Sequence, residues 1–162
     1  MKLESLPSLN IKPDMKILIA LDVSGSIMAN DNFNKIYRYY LSQITEQVYN
    51  LDIEVKVIAF DRSILAVKNY NYKNILELVD YNYHIKKIIG GGTDINEIYK
   101  YNLDSNFNAD QIIVLSDGYF DTSDSSKEFT NTHFVIIVDE YSDSLFKIFE
   151  SKKLKYTVAS IN

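Results

Sequence analysis

The chain has 162 residues, 46% of them apolar, a formal net charge of −5 and no cysteine. A single domain of this length buries roughly 70% of the surface its unfolded chain exposes, so a core is available without disulfides, and thiolate metal sites are excluded. The acidic balance and the lack of a basic stripe argue against nucleic acid, and no run approaches the roughly 20 apolar residues of a membrane helix.

In chain order, residues 1–14 form a lead-in, MKLESLPSLNIKPD, where Pro7 and Pro13 disfavour regular structure, and residues 15–162 form one domain. Glu4 and the lack of a long apolar run argue against a signal peptide, so a soluble, cytoplasmic protein is expected, with no membrane partner. KILIALD (Lys16 to Asp22) has the apolar continuity of a strand buried on both faces. A helix comes next in NFNKIYRYYLSQITEQVYNL, with Ile36, Tyr40, Ile44 and Val48 on one stripe and Tyr37, Leu41 and Leu51 alongside. EVKVIAFD (Glu54 to Asp61) alternates Glu54 and Lys56 with valines, as a strand nearer an edge does. SILAVKNY comes so soon after it that the two must pair antiparallel.

The segment from Asn69 to Ile89 is the hardest to read. Ile75, Leu76, Leu78 and Val79 suit a short helix, and YNYHIKKII reads as a strand or as an extended lead into Gly90, Gly91 and Gly92. TDINEIYKYNL then starts a helix that turns Ile95, Ile98 and Tyr99 inward. QIIVLSD (Gln111 to Asp117) and HFVIIVD (His133 to Asp139) are two more buried strands. SDSLFKIFESK is a helix carrying Leu145, Ile148 and Phe149, and LKYTVASI a last strand. This alternation predicts an α/β fold of three layers, with a doubly wound, mostly parallel six-stranded sheet and one antiparallel edge strand. The Asp22 strand is expected at its centre. EVKVIAFD and then SILAVKNY lie on one side, and QIIVLSD, HFVIIVD and the last strand on the other.

All four strong strands end in aspartate, so only the residues after each aspartate tell them apart. Asp61 leads into Arg62 and an immediate reversal, and Asp139 into Glu140. Asp22 leads into Val23, Ser24, Gly25 and Ser26, residues that let the backbone turn tightly. Asp117 is followed by Gly118, which permits close approach of another group. Between these, the three glycines deliver Thr93 and Asp94 to a helix N-terminus.

Asp22-Val23-Ser24-Gly25-Ser26, then Gly-Gly-Thr93-Asp94, then Ser-Asp117-Gly118 resembles the metal-ion-dependent adhesion site (MIDAS) of von Willebrand factor A-type (VWA) domains. The resemblance runs from about residue 16 to 160, and its small size and Gly-Gly-Thr-Asp form look like intracellular bacterial and phage-type members. It implies a Rossmann-like fold and a magnesium site, with Mn2+ or Ca2+ as substitutes, at Asp22, Ser24, Ser26, Thr93 and Asp117. Three hydroxyl oxygens suit a hard cation such as Mg2+, which takes six oxygens at about 2.0–2.1 Å. In the resembled family the hydroxyls bind directly and the two acids act through water or hydrogen bonds. The ion then keeps an open position for a carboxylate of another protein. The implied function is metal-dependent protein–protein interaction through a partner's Asp or Glu, in a multi-protein or ATPase-associated complex. No Walker motif is present, so an ATPase would be a separate chain.

Each feature also has a plainer reading. Ser24 and Ser26 suit a helix cap, and so does Asp94, which otherwise stands behind the ligands. Tyr119 and Phe120 beside Asp-Gly suit a partner-binding rim. Asp121, with Asp124, suits either that rim or a solvated loop. His84 and His133 have no partner at ligand spacing. The rival function is a metal-dependent hydrolase of phosphate or acyl esters using the same residues. Ser24 stands where a dehalogenase-type phosphohydrolase needs a second acid, the GxSxG elbow is missing, and no general base is evident, so no enzyme is expected.

Overall fold

The computed structural model describes residues 1–28, 31–80, 92–118, 129–138 and 143–161. The side chains of Ser26, Met28 and residues 143–145 are outside that description, as are Tyr119, Phe120, Asp121, Asp124, His84 and the YNYHIKKII segment.

Among the described residues, seven strands form one sheet: β1 (Lys2–Leu3), β2 (Lys16–Asp22), β3 (Glu54–Phe60), β4 (Ile64–Tyr70), β5 (Gln111–Ser116), β6 (Thr132–Val138) and β7 (Lys155–Ser160). Their order is β1-β7-β6-β5-β2-β3-β4. The five strands from β7 to β3 are parallel, and β4 closes one edge antiparallel to β3. All six predicted strands occur in the predicted order. The seventh, β1, arises from the lead-in and pairs antiparallel with β7 through Lys2–Ser160 and Leu3–Ala159. A two-residue strand leaves no periodic signal to read.

The lead-in is held by side chains that supply what its irregular backbone lacks. Leu6 N and Leu9 N donate to the side-chain oxygens of Gln43 (2.8 Å) and Gln47 (2.6 Å), and Tyr40 OH donates to the Glu4 carbonyl at 2.7 Å. A buried N–H without an acceptor is costly, so these two glutamines let Leu6 and Leu9 enter the core.

Period-two alternation sorts β2 onto two faces. Ile17, Ile19 and Leu21 pack beneath α2 (Asp31–Val48), which comes after a one-turn helix, α1 (Gly25–Met28). Ile36, Tyr40, Ile44 and Val48 form the buried stripe of α2, with Tyr37 and Leu41 beside them. Leu51 is 38% exposed, because the helix ends at Val48 and the chain turns away. A 3-10 helix, Ile75–Asp80, covers the same face with Ile75 and Leu78, while Leu76 points to solvent.

Leu18 and Ala20 face the other layer, α3 (Asn96–Asp104) and α4 (Asp143–Ser151). Ile98 and Tyr99 of α3, with Ile95 just before it, turn inward as expected. In α4 the buried pair is Phe146 and Phe149, both against Tyr156, and Ile148 is 48% exposed. One three-residue step of a short helix can face the sheet, and the two large rings take it.

Candidate metal centre

Parallel strands place their carboxyl ends at one rim of the sheet, and β2 lies where the winding reverses, with β3 on one side and β5 on the other. Such a switch point opens a crevice above the strand ends. Asp22, the last residue of β2, is fully buried there, and the β5 end brings up Ser116 and Asp117, both buried.

The Asp22 carboxylate is the meeting point of three loops. Its Oδ1 accepts from Ser24 N at 2.9 Å, which folds the chain tightly after the strand. Its Oδ2 accepts from Ser116 Oγ at 2.6 Å, tying β2 to β5, and Thr93 Oγ1 lies 3.4 Å from the same oxygen. Asp94 N donates to the Asp61 carbonyl at 2.8 Å, which anchors the Thr93 loop on the far end of β3. Gly118 takes φ 84°, a left-handed conformation natural to glycine, and its N–H donates to Ser116 Oγ at 3.2 Å. Beneath Asp22, the buried Tyr37 OH donates to the Asp22 carbonyl at 2.6 Å and to that of Leu115 at 3.2 Å.

Burial lifts the Asp22 carboxyl above the ordinary carboxylate range, against the lowering effect of hydrogen bonds from Ser116 and Ser24; the nearby Asp117 charge adds to the lift. Burial also raises the Tyr37 phenol well above its usual value, with Asp22 and Asp117 contributing, so it stays a donor.

Of the predicted ligands, Asp22, Ser24, Thr93 and Asp117 therefore sit on one rim, with Thr93 and Ser24 each in contact with Asp22. The Ser26 backbone lies in α1, on the same loop, while its side chain falls outside the described residues, as do the rim candidates Tyr119, Phe120 and Asp121. Asp94 serves the start of α3: its Oδ1 accepts from Asn96 N at 3.0 Å. Ser116 was missed as a site residue. Its signal was present in the Ser-Asp-Gly that ends β5, but a strand-end serine reads as packing until its neighbour across the sheet is known.

A hard dication fits this donor set. The oxygens are carboxylate and hydroxyl, the acids are buried, and the lifted Asp22 carboxyl would return to its charged form beside positive charge. No cluster of three His, Cys, Asp or Glu that could hold a metal ion occurs among the described residues.

The architecture is Rossmann-like and consistent with a VWA-type fold: a mostly parallel sheet with an antiparallel edge, helices on both faces, and a crevice at the switch point. Among solved structures, the chain is similar to an aerotolerance-related membrane protein from Bacteroides fragilis, at 12% identity and TM-score 0.60, over 91% of this chain and 92% of that one. It is similar also to BatB from Bacteroides thetaiotaomicron, at 14% identity and TM-score 0.58, over 91% of each chain. Proximal thread matrix protein 1 of the mussel byssus matches at 17% identity and TM-score 0.62, over 91% of this chain and 42% of that one. At these identities the likeness is one of fold. No protein-family model and no curated protein sequence matches the chain. No described helix is long and apolar enough to cross a membrane.

Proposed function

We propose that the chain is a metal-dependent protein-binding module and not an enzyme. Its ligands are the hydroxyls of Ser24, Ser26 and Thr93, with Asp22 and Asp117 behind them, and its ion is Mg2+, with Mn2+ or Ca2+ able to substitute. The observation that carries this reading is the convergence of three separate loops on one buried carboxylate: Ser24 N, Ser116 Oγ and Thr93 Oγ1 all lie within 3.4 Å of an Asp22 oxygen. Along the chain, Thr93 stands 71 positions and Ser116 stands 94 positions from Asp22, yet both reach the same oxygen.

The bound ion would supply a strong point of positive charge at the rim and an open coordination position. The protein's residues do the rest. Asp22 holds the Ser24 turn and the Thr93 loop in place, Ser116 fixes the Asp22 rotamer, and Gly118 lets the chain leave β5 without crowding the site. Neutral hydroxyls leave the ion under-neutralised, so an acidic side chain of a partner protein is the ligand it favours. Two unit charges about 4 Å apart interact by roughly 4 kcal/mol at an effective dielectric of 20, enough to make one Asp or Glu decisive. Cytoplasmic location and membership of a larger, ATPase-associated assembly belong to the same proposal.

The test is affinity capture from a lysate of the source organism with Mg2+ and with EDTA, using wild type and Thr93→Ala. The reading predicts a protein retained only by wild type and only with Mg2+. Retention that is indifferent to both chelator and substitution contradicts it.

A further inference from the structure

The β3–β4 turn brings a cation to the edge of this site. Asp61, Arg62 and Ser63 make a tight reversal in which Asp61 Oδ1 accepts from Ser63 N at 2.9 Å and from Ser63 Oγ at 3.2 Å. The Asp61 carbonyl accepts from Asp94 N at 2.8 Å, so the turn and the Thr93 loop are fastened together. Arg62, at the tip, lies along Gly92, the residue before Thr93. A Cβ on Gly92 would stand 3.3 Å from Arg62 Nε, 3.6 Å from its Cδ and 3.7 Å from its Cγ. Gly92 thus leaves the room in which the arginine stem rests against the loop. Arg62 is exposed, and no hydrogen bond or ion pair to the described residues engages its guanidinium.

We infer that Arg62 is a specificity-determining residue for the partner: the chain recognises two neighbouring carboxylates, one at the metal and one on Arg62. The inference rests on the metal-dependent reading above and narrows it from any acidic side chain to a paired acidic motif. A guanidinium presents a planar fork of donors that matches a carboxylate in two parallel hydrogen bonds. Its stem lies beside Gly92 and the turn that carries it is fastened to the Thr93 loop by the Asp61–Asp94 bond, so the guanidinium is presented next to that loop. Placed one residue from Thr93, it repels a cationic partner and gives a second acid a reason to bind. Isolated metal coordination offers no such discrimination.

The probes are two blocked pentapeptides of glycine, one with a single glutamate and one with two glutamates separated by a glycine. Each is titrated into protein saturated with Mg2+ and followed by amide NMR shifts. Mg2+ binding itself is measured by calorimetry. Wild type is expected to bind the two-glutamate peptide about twofold to fivefold more tightly than the other, the margin of one exposed charge-assisted contact. Arg62→Ala should keep its Mg2+ affinity and lose that preference, and Arg62→Lys should retain part of it. Gly92→Ala, which displaces only the end of a flexible side chain, should fold and show a reduced preference. Equal preference in wild type and Arg62→Ala, or Mg2+-loaded wild type that binds neither peptide, overturns the assignment of Arg62. Absence of any Mg2+ heat overturns the metal reading beneath it instead.

Discussion

Tyr37 illustrates how the site depends on a residue that never reaches the surface. Its hydroxyl bridges the carbonyls of Asp22 and Leu115, which belong to β2 and β5 where those strands give way to loops. Both bonds are buried, and removing their donor takes a hydrogen bond from each carbonyl, at about 1 kcal/mol. Tyr37→Phe keeps the ring, and with it the edge-on contact to Phe33 at 6.4 Å, so the loss is that of the hydroxyl alone. A urea titration should show a lower midpoint with unchanged slope. A midpoint equal to that of wild type would show that the bridge contributes nothing. At this scale the sequence was only partly legible. Tyr37 was readable as an inward helical residue from its spacing, but the use of its hydroxyl depends on two strand ends 93 positions apart, Asp22 and Leu115, and no local pattern carries that information.

Between elements, β6 and β7 are joined by a polar pair within an apolar layer. His133 Nε2 and Thr157 Oγ1 lie 2.6 Å apart, and both side chains are buried. Burial, with Lys155 nearby, pushes the His133 imidazole down to about 4 from its usual 6.5. The folded state therefore holds a neutral ring. Above pH 6.5 both states are neutral and nothing is lost. As pH falls from there toward 4 the unfolded chain takes up the proton and the folded chain does not, so stability declines. Between pH 7 and 5 the loss is about 2 kcal/mol, since each pH unit below 6.5 costs about 1.4 kcal/mol. Asp22 acts in the opposite sense, because its raised carboxyl favours the folded state as the solution is acidified. The comparison of wild type with His133→Gln isolates the histidine: the wild type should lose about 2 kcal/mol more between those two pH values. Parallel pH curves for the two proteins would refute a neutral buried His133. The strands themselves were legible because central parallel strands are apolar on both faces, and helix α2 because its stripe is long. In helix α4 Phe149 was read as inward correctly, but Ile148 was taken for the buried partner that Phe146 proves to be, since both flank Phe149 on the helix and only the sheet decides between them.

For the whole molecule, the candidate site lies where the winding reverses. The order β5-β2-β3 places Asp22 between two strands that enter from opposite sides, and the loops after β2 and β5 then have one crevice to share. The sheet order was legible because each strand pairs with the neighbour that its connection permits: a short reversal after Asp61 compels antiparallel pairing, and helical crossovers compel parallel ones. The gathering of Asp22, Ser24, Thr93 and Asp117 on one rim was legible as a pattern of residue types. Its internal bonds were not: Ser116 was passed over, and Asp94, adjacent to Thr93, binds the first N–H of α3. The account requires that the gathered hydroxyls bind one divalent ion. Calorimetric titration of Mn2+ into wild type, Thr93→Ala, Ser24→Ala and the distant control Ser151→Ala tests this most directly. One ion per chain in wild type and the control, with affinity lower by about tenfold or more in the two ligand variants, is the predicted result. Equal affinities in all four proteins, or no binding by wild type, would contradict it.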